Sequence, residues 1–170
     1  MILIDTREQK YEHVRTAFEE MGVPYDRTKL YVGDYTLVND QSVCVDRKAG
    51  LQEVYSNLIQ EHDRFRAECK RAKEAEIRLV VLIEEEAVES LDDVPFWQNP
   101  RATKWEFIHA AHQAGKLQDV RLPAKPPVGS DRIAAIMRAM ELKYGIEWRF
   151  VCKKNVGREI VRILTRKELY

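Results

Sequence analysis

The sequence lacks several features that mark well-known classes of protein. Its three cysteines are unevenly spaced, which predicts neither a disulfide framework nor a zinc site. Acidic and basic residues balance at 28 each, so a nucleic-acid surface would require segregated charge. No apolar run is long enough for a membrane span, and neither a repeat nor a low-complexity tract occurs. We therefore expect a protein of a reducing compartment that does not contact membranes, cytoplasmic or, in a eukaryote, nuclear.

The length predicts one domain with a sizeable core over residues 1–170. Within it, the charged motifs lie in residues 1–86, and residues 87–128 look like a helical insertion. A helix, a strand and a final helix are predicted within residues 129–167. The proline-rich stretch 122–127 is predicted to be an extended linker.

Two short runs with strand character, residues 32–37 and 43–48, stand on either side of Asn39-Asp40-Gln41. We interpret them as a β-hairpin. Side chains alternate with period two along a strand, so Asp46 and Lys48 share one face and Arg47 lies on the other.

The apolar pattern predicts the register of this hairpin. A three-residue loop places Tyr35 opposite Val45 and Leu37 opposite Val43, which makes one apolar face. A two-residue loop would place the two carboxylates on opposite faces and mix them with the apolar side chains. The pattern therefore favours a three-residue loop.

The same register places Asp34 opposite Asp46, with Lys48 next along the strand. Like charges that face each other across a ladder destabilise it, and a divalent cation would offset their repulsion. Mg²⁺ often binds through one or two carboxylates, with waters and phosphate oxygens as its other ligands. The alternative is an ordinary surface hairpin with scattered charges.

An aspartate followed about a dozen residues later by Asp-x-Lys resembles the motif of the PD-(D/E)XK nucleases. Nucleases of this kind need a metal ion and charged side chains because a phosphodiester is a charged, poor electrophile. A metal ion offsets the developing charge and lowers the pKa of bound water. Lys48 could orient or deprotonate that water, or stabilise the phosphoryl oxygens.

A second charged group, Asp5, Arg7 and Glu8, follows the apolar strand predicted for residues 1–4. These residues could cap the helix that begins nearby and supply its first-turn charges. Alternatively, they belong to the site beside the hairpin.

Three motifs in order make the resemblance more specific: residues 2–8 (ILIDTRE), 32–35 (VGDY) and 45–48 (VDRK). Together they resemble the XPF/Hef-type structure-specific endonuclease domain, which carries Asp-x-Arg-Glu, Gly-Asp-Tyr and Glu-Arg-Lys motifs. The similarity covers residues 1–85 well, through Arg64 and the buried strand that ends at Glu84.

This resemblance implies an α/β fold of restriction-endonuclease type, with a central mixed sheet flanked by helices. It implies a DNA endonuclease dependent on Mg²⁺ or Mn²⁺ and acting at branched, flap or fork junctions, with Asp34 and Asp46 as metal ligands. The expected catalytic set is Asp5, Arg7, Glu8, Asp34, Asp46, Arg47 and Lys48. The expected DNA contacts are Arg47, Arg64 and Arg71, although the basic segment 62–73 could equally be a solvated helix face.

Two positions depart from the family pattern. Asp46 replaces a glutamate, which shortens the side chain by about one methylene. Gln52 stands where the family has a later aspartate, with Glu53 adjacent. Both changes bear on metal number and efficiency more than on the type of reaction.

Alternative functions remain open at this stage. The chain could be a non-catalytic DNA-binding scaffold subunit of a nuclease complex, because such partners occur in the family, although they typically lose the motifs retained here. It could also work only as a homodimer or with a partner subunit.

Overall fold

The structure, a computed structural model, describes residues 1–116 and 125–166. Its centre is a six-stranded mixed sheet with the order β2-β1-β3-β4-β5-β6. Pairing is antiparallel for β1–β3 and β3–β4 and parallel for the other neighbours. The strands are β1 (Ile2–Asp5), β2 (Tyr25–Thr28), β3 (Tyr35–Leu37), β4 (Asp40–Lys48), β5 (Arg78–Glu84) and β6 (Glu147–Val151).

Helices cover both faces of this sheet, which makes the fold α/β as the sequence predicted. They are α1 (Glu12–Glu20), α2 (Leu51–Ile59), α3 (His62–Glu74), α4 (Pro100–Gln113), α5 (Ser130–Tyr144) and α6 (Val156–Thr165). No helix in residues 1–116 or 125–166 is both long and apolar enough to cross a membrane.

Two apolar clusters form the core, one on each face of the sheet. Helices α2, α3 and α5 pack on one face through residues such as Leu51 and Met137. Helices α1 and α6 pack on the other through residues such as Phe18 and Ile160. Strand β5 is buried along almost its whole length, as expected for an apolar strand covered on both faces.

The hairpin forms, but its predicted turn was wrong. The turn has two residues, Val38 and Asn39, and Leu37 pairs with Asp40 instead of Val43. A register shift between Thr36 and Leu37 then restores the predicted pairing of Tyr35 with Val45. The apolar pattern identified the right register at the buried end, whereas the exposed tip was free to bulge.

Two helices follow β4, α2 and α3, with a short break between them at Gln60 and Glu61. The break turns the chain so that both helices pack beside the carboxyl end of β4. Half of the linker predicted for residues 122–127, residues 122–124, lies outside the described residues.

Candidate active site

Asp34 and Asp46 lie together at the end of the hairpin, although not as the ladder pair that the sequence predicted. Asp34 precedes β3, and its backbone N–H donates to the carbonyl of Val45 at 2.8 Å. Its carboxylate Oδ2 accepts from the N–H of Arg47 at 2.9 Å. The carboxylate of Asp34 is therefore held against β4 beside Asp46.

The surroundings of this pair disfavour two negative charges. Burial raises the pKa of Asp34 well above its ordinary value, and the charge of Asp46 raises it further. Asp46 is 3% exposed, and its Oδ2 is buried without a hydrogen-bond partner among the described residues. Asp34 is half-buried.

Lys48 supplies the positive charge at this position. Its Nζ donates to Oδ1 of Asp46 at 2.8 Å, and the residue is 8% exposed. Burial by itself would lower the pKa of Lys48, but the carboxylates of Asp46 and Asp34 outweigh it and raise that pKa above its usual value. The neighbouring carboxylates therefore favour the charged form of Lys48.

Gly33 allows the chain to bring Asp34 to this position. Its φ is +70°, and a Cβ there would lie 3.0 Å from the carbonyl oxygen of Val45. The N–H of Gly33 donates to Oε1 of Glu68 on α3 at 3.0 Å. The Gly-Asp motif thus combines a left-handed backbone conformation with close packing against β4.

Asp5 is hydrogen-bonded to Arg7. Its Oδ1 accepts from the backbone N–H and Nε of Arg7, each at 2.7 Å, and its Oδ2 accepts from Nη2 of Arg7 at 2.9 Å and from the N–H of Leu30 at 2.7 Å. Burial would raise the pKa of Asp5, but these hydrogen bonds lower it overall. The side chain of Arg7 remains 55% exposed, so it is available to a ligand.

Arg47 lies on the opposite face of β4, as the strand alternation predicted. Its guanidinium is buried and donates to Glu8 and Glu84, each at 2.6 Å, and to the carbonyl of Gln9 at 3.1 Å. His13 also bonds Glu84 at 2.7 Å. This network joins β4, β5 and the start of α1. It leaves 5% of the Arg47 side chain exposed, in a pocket that Arg7 also lines.

Glu53, and not Gln52, lies beside Lys48. Its Oε2 accepts from the N–H of Ala49 at 2.7 Å, and its charge contributes to the raised pKa of Lys48. Gln52 lies on the other side of α2, away from the cleft in front of Lys48. The acidic side chain that this part of α2 places near Lys48 is therefore that of Glu53.

A cleft of about 310 Å³ opens in front of Lys48 between α2 and α3, and we call it the Lys48 cleft. Arg64 stands on its rim with 81% of its side chain exposed and a weak contact to Glu61 at 3.5 Å. Arg71 lies farther along α3, with its guanidinium 6.0 Å from the ring of Tyr31. The cleft is lined by Lys48, Glu53, Ser56, Asn57, Glu61, Arg64, Phe65 and Glu68.

The donor set at this site suits a hard cation that keeps most of its waters. No group of three or more His, Cys, Asp or Glu side chains in the described part of the chain is arranged to hold a metal ion. The pair of Asp34 and Asp46 nevertheless offers two adjacent carboxylates, one with an unsatisfied buried oxygen. Mg²⁺ commonly binds through one or two carboxylates, so these residues fit such an ion.

Sequence reasoning missed two parts of the site. His13 carries no signal in its own helix, because only packing brings it to Glu84 across 71 residues of chain. Glu68 lies within the residues 1–85 that carry the resemblance, but its hydrogen bond to Gly33 depends on how α3 packs. Each partnership joins elements distant in sequence, so no local periodicity reports it.

Comparison with known proteins bears on the family and the fold. The family model described as the ERCC4 domain matches residues 4–160, whereas no curated protein matches the chain. XPF from Aeropyrum pernix superposes with a TM-score of 0.62 at 20% identity, covering 99% of this chain and 66% of that chain. XPF from Aeropyrum pernix in complex with DNA gives 0.58 at 18% identity, covering 97% and 63%.

The solved structures support the fold, and this chain spans about two thirds of their length or slightly less. The family model covers nearly the whole chain, including every motif that forms the site. The chain therefore belongs to the ERCC4 domain family of nuclease-type domains.

Proposed function

We propose that this protein is a metal-dependent DNA endonuclease that hydrolyses phosphodiester bonds at branched, flap or fork junctions. The observation that carries the proposal is the position of Asp34 beside Asp46, with the Lys48 cation bound to the second carboxylate. A scaffold that only bound DNA would have no need to hold the half-buried Asp34 beside the buried Asp46, an arrangement that opposes folding.

Asp34 and Asp46 would hold Mg²⁺ or Mn²⁺. When bound, the ion would neutralise charge on the phosphate and lower the pKa of its water. DNA as the substrate is supported by family membership and by the related structure described as a complex with DNA.

Side chains of the protein would position the water and the phosphate. Lys48, bonded to the second carboxylate, would orient or deprotonate the attacking water, or donate to a phosphoryl oxygen as negative charge develops there. Arg7, aligned by Asp5, presents an exposed guanidinium whose electrostatic neighbours include Asp34, which suits it to grip the scissile phosphate.

Two further groups have supporting roles. Arg47, Glu8 and Glu84 hold β4 in place from the opposite face of the sheet, so they are positioning residues. Arg64, on the rim of the Lys48 cleft, contacts the DNA backbone, and Arg71 extends this basic edge along α3.

The test is cleavage of a labelled panel of flap, fork, duplex and single-stranded DNA with Mg²⁺, with Mn²⁺ or with EDTA. We expect metal-dependent cutting of the junction substrates, lost in Asp34→Asn and kept in Asp26→Asn, an exposed aspartate on the edge strand β2. Cutting by Asp34→Asn at the wild-type rate would overturn the proposal. Binding without cutting would instead support a scaffold that works with a partner subunit.

A further inference from the structure

A second pocket lies on the far side of α2, between that helix and α4. Its volume is about 620 Å³, within the range typical of small-molecule sites. Tyr55 and Ile59 of α2 face Trp105 and Ile108 of α4 across it, and Pro100 closes one side. We call this space the aromatic pocket.

The charge around the aromatic pocket is of one sign. Arg101, Lys104 and Lys125 line it, and no described lining residue is acidic. The Lys48 cleft, by contrast, contains three glutamates. In a chain whose charges balance overall, such segregation favours an anionic ligand with a flat apolar part.

Helix α4 is incompletely packed at this position. None of its described residues is fully buried. Trp105 Nε1 and Arg101 Nε are enclosed but have no hydrogen-bond partner among the described residues. Enclosed donors normally have a hydrogen-bond partner, so these two N–H groups on α4 can donate to an acceptor other than the described protein atoms.

The aromatic pocket is connected to the Lys48 cleft through one side-chain contact. Nη2 of Arg101 donates to Oγ of Ser56 at 2.9 Å, and Ser56 lines the Lys48 cleft. The Arg101 guanidinium also lies 5.0 Å from the Tyr55 ring, inside the aromatic pocket. A helix with its side chains is about 10 Å across, so one short stretch of nucleic acid can reach both sites.

We propose that the aromatic pocket binds an unpaired base of the DNA strand whose phosphate lies in the Lys48 cleft. The proposal rests on the proposed function for its choice of ligand. Base stacking on aromatic side chains, with basic groups alongside for the phosphates, is how proteins hold single strands without reading sequence. Such a pocket would favour substrates with unpaired nucleotides next to the cut site.

The test measures binding alone, in EDTA, by the fluorescence anisotropy of a labelled short oligothymidylate and of a blunt duplex. Trp105→Ala should weaken binding of the oligothymidylate about tenfold and leave duplex binding unchanged. Phe107→Ala is the matched control, because Phe107 lies on the same helix, is 72% exposed and does not line the pocket.

A second variant keeps the test valid if Trp105→Ala fails to fold. Lys104 is exposed on the pocket rim, so Lys104→Glu should preserve the fold and weaken single-strand binding. Lys116→Glu makes the same charge change at an exposed lysine beyond α4 and should bind like the wild type.

The outcomes separate this proposal from the proposed function. If both pocket variants bind oligothymidylate as tightly as the wild type, the pocket assignment is overturned, whatever the cleavage assay shows. If Trp105-dependent binding is present but no substrate is cut, the pocket assignment stands and the nuclease proposal fails.

Discussion

Nζ of Lys48 lies 2.8 Å from Oδ1 of Asp46, while Oδ2 of the same carboxylate has no hydrogen-bond partner among the described residues. The lysine thus neutralises only one side of a buried acidic group, and the other side stays available beside Asp34.

Lys48→Met should lower the cleavage rate by about 10²- to 10³-fold, because it removes the cationic donor at the reacting phosphate. It should also make divalent cations stabilise the protein more than they stabilise the wild type, since Lys48 competes with them for the same carboxylates. Cleavage assays and thermal unfolding with increasing Mg²⁺ measure the two effects. Lys70→Met, on the exposed side of α3, should change neither, and wild-type cleavage by Lys48→Met would contradict the assignment.

Asp34→Asn should stabilise the protein at neutral pH in EDTA while it abolishes cleavage. The pKa of Asp34 is raised in the folded state, so its contribution to stability is fully present below the unfolded pKa and is lost as pH rises through the folded pKa. Asparagine does not ionise, so this loss of stability does not occur in the variant. Asp34→Asn should therefore be more stable than the wild type at pH 7, and the difference should shrink as the solution is acidified.

Chemical denaturation at several pH values measures this difference in the free energy of unfolding. The gain at pH 7 should exceed the roughly 0.5 kcal/mol scatter of surface substitutions, and Asp26→Asn should show none. A destabilised Asp34→Asn at pH 7 would show that the folded state prefers a charged Asp34.

Arg47→Met should destabilise the fold by about 3–5 kcal/mol, because it leaves Glu8 and Glu84 buried without their cation. Urea denaturation measures the change. A loss smaller than about 1 kcal/mol would mean that the network contributes little to holding β4.

Arg64→Ala should weaken DNA binding and leave stability nearly unchanged, the reverse of what we expect for Arg47→Met. Its exposed side chain should change stability by no more than about 0.5 kcal/mol, whereas its removal should weaken DNA binding and reduce the salt dependence by about one phosphate contact. Affinity measured across a range of salt concentrations gives that slope, and an unchanged slope would remove Arg64 from the interface.

Gly33→Ala and Gly22→Ala form a matched pair, because both glycines have positive φ, +70° and +64°. Nothing lies within 4 Å of a Cβ at position 22, so that variant should lose only about 1–2 kcal/mol from the backbone conformation.

At position 33 the added Cβ would meet the Val45 carbonyl at 3.0 Å and the Cys44 Cβ at 3.2 Å. That variant should be less stable than Gly22→Ala and should displace Asp34. A displacement near 1 Å can lower a rate about 10²-fold, so cleavage should fall in Gly33→Ala alone. Equal activity and stability in the two variants would show that the contact with β4 relaxes without moving the site.

Much of the site was predictable because its geometry is local. Strand alternation placed Asp46 and Lys48 on one face of β4 and Arg47 on the other, and the structure has them so. The apolar pairing of Tyr35 with Val45 also held, since a buried register tolerates no slip. The turn was predicted wrongly because the exposed tip of the hairpin carries no such constraint.

The sequence by itself determined the fold class, the family and the side chains that meet at the end of the hairpin, because period-two alternation and ordered motifs are local properties. Only the tertiary structure decided their partners. Packing pairs Arg47 with Glu8 and Glu84 and holds Arg7 against Asp5. It also places α4 against α2, which forms the aromatic pocket. These relationships join elements far apart in the chain, and the packing of helices on a sheet sets them, which no local pattern encodes.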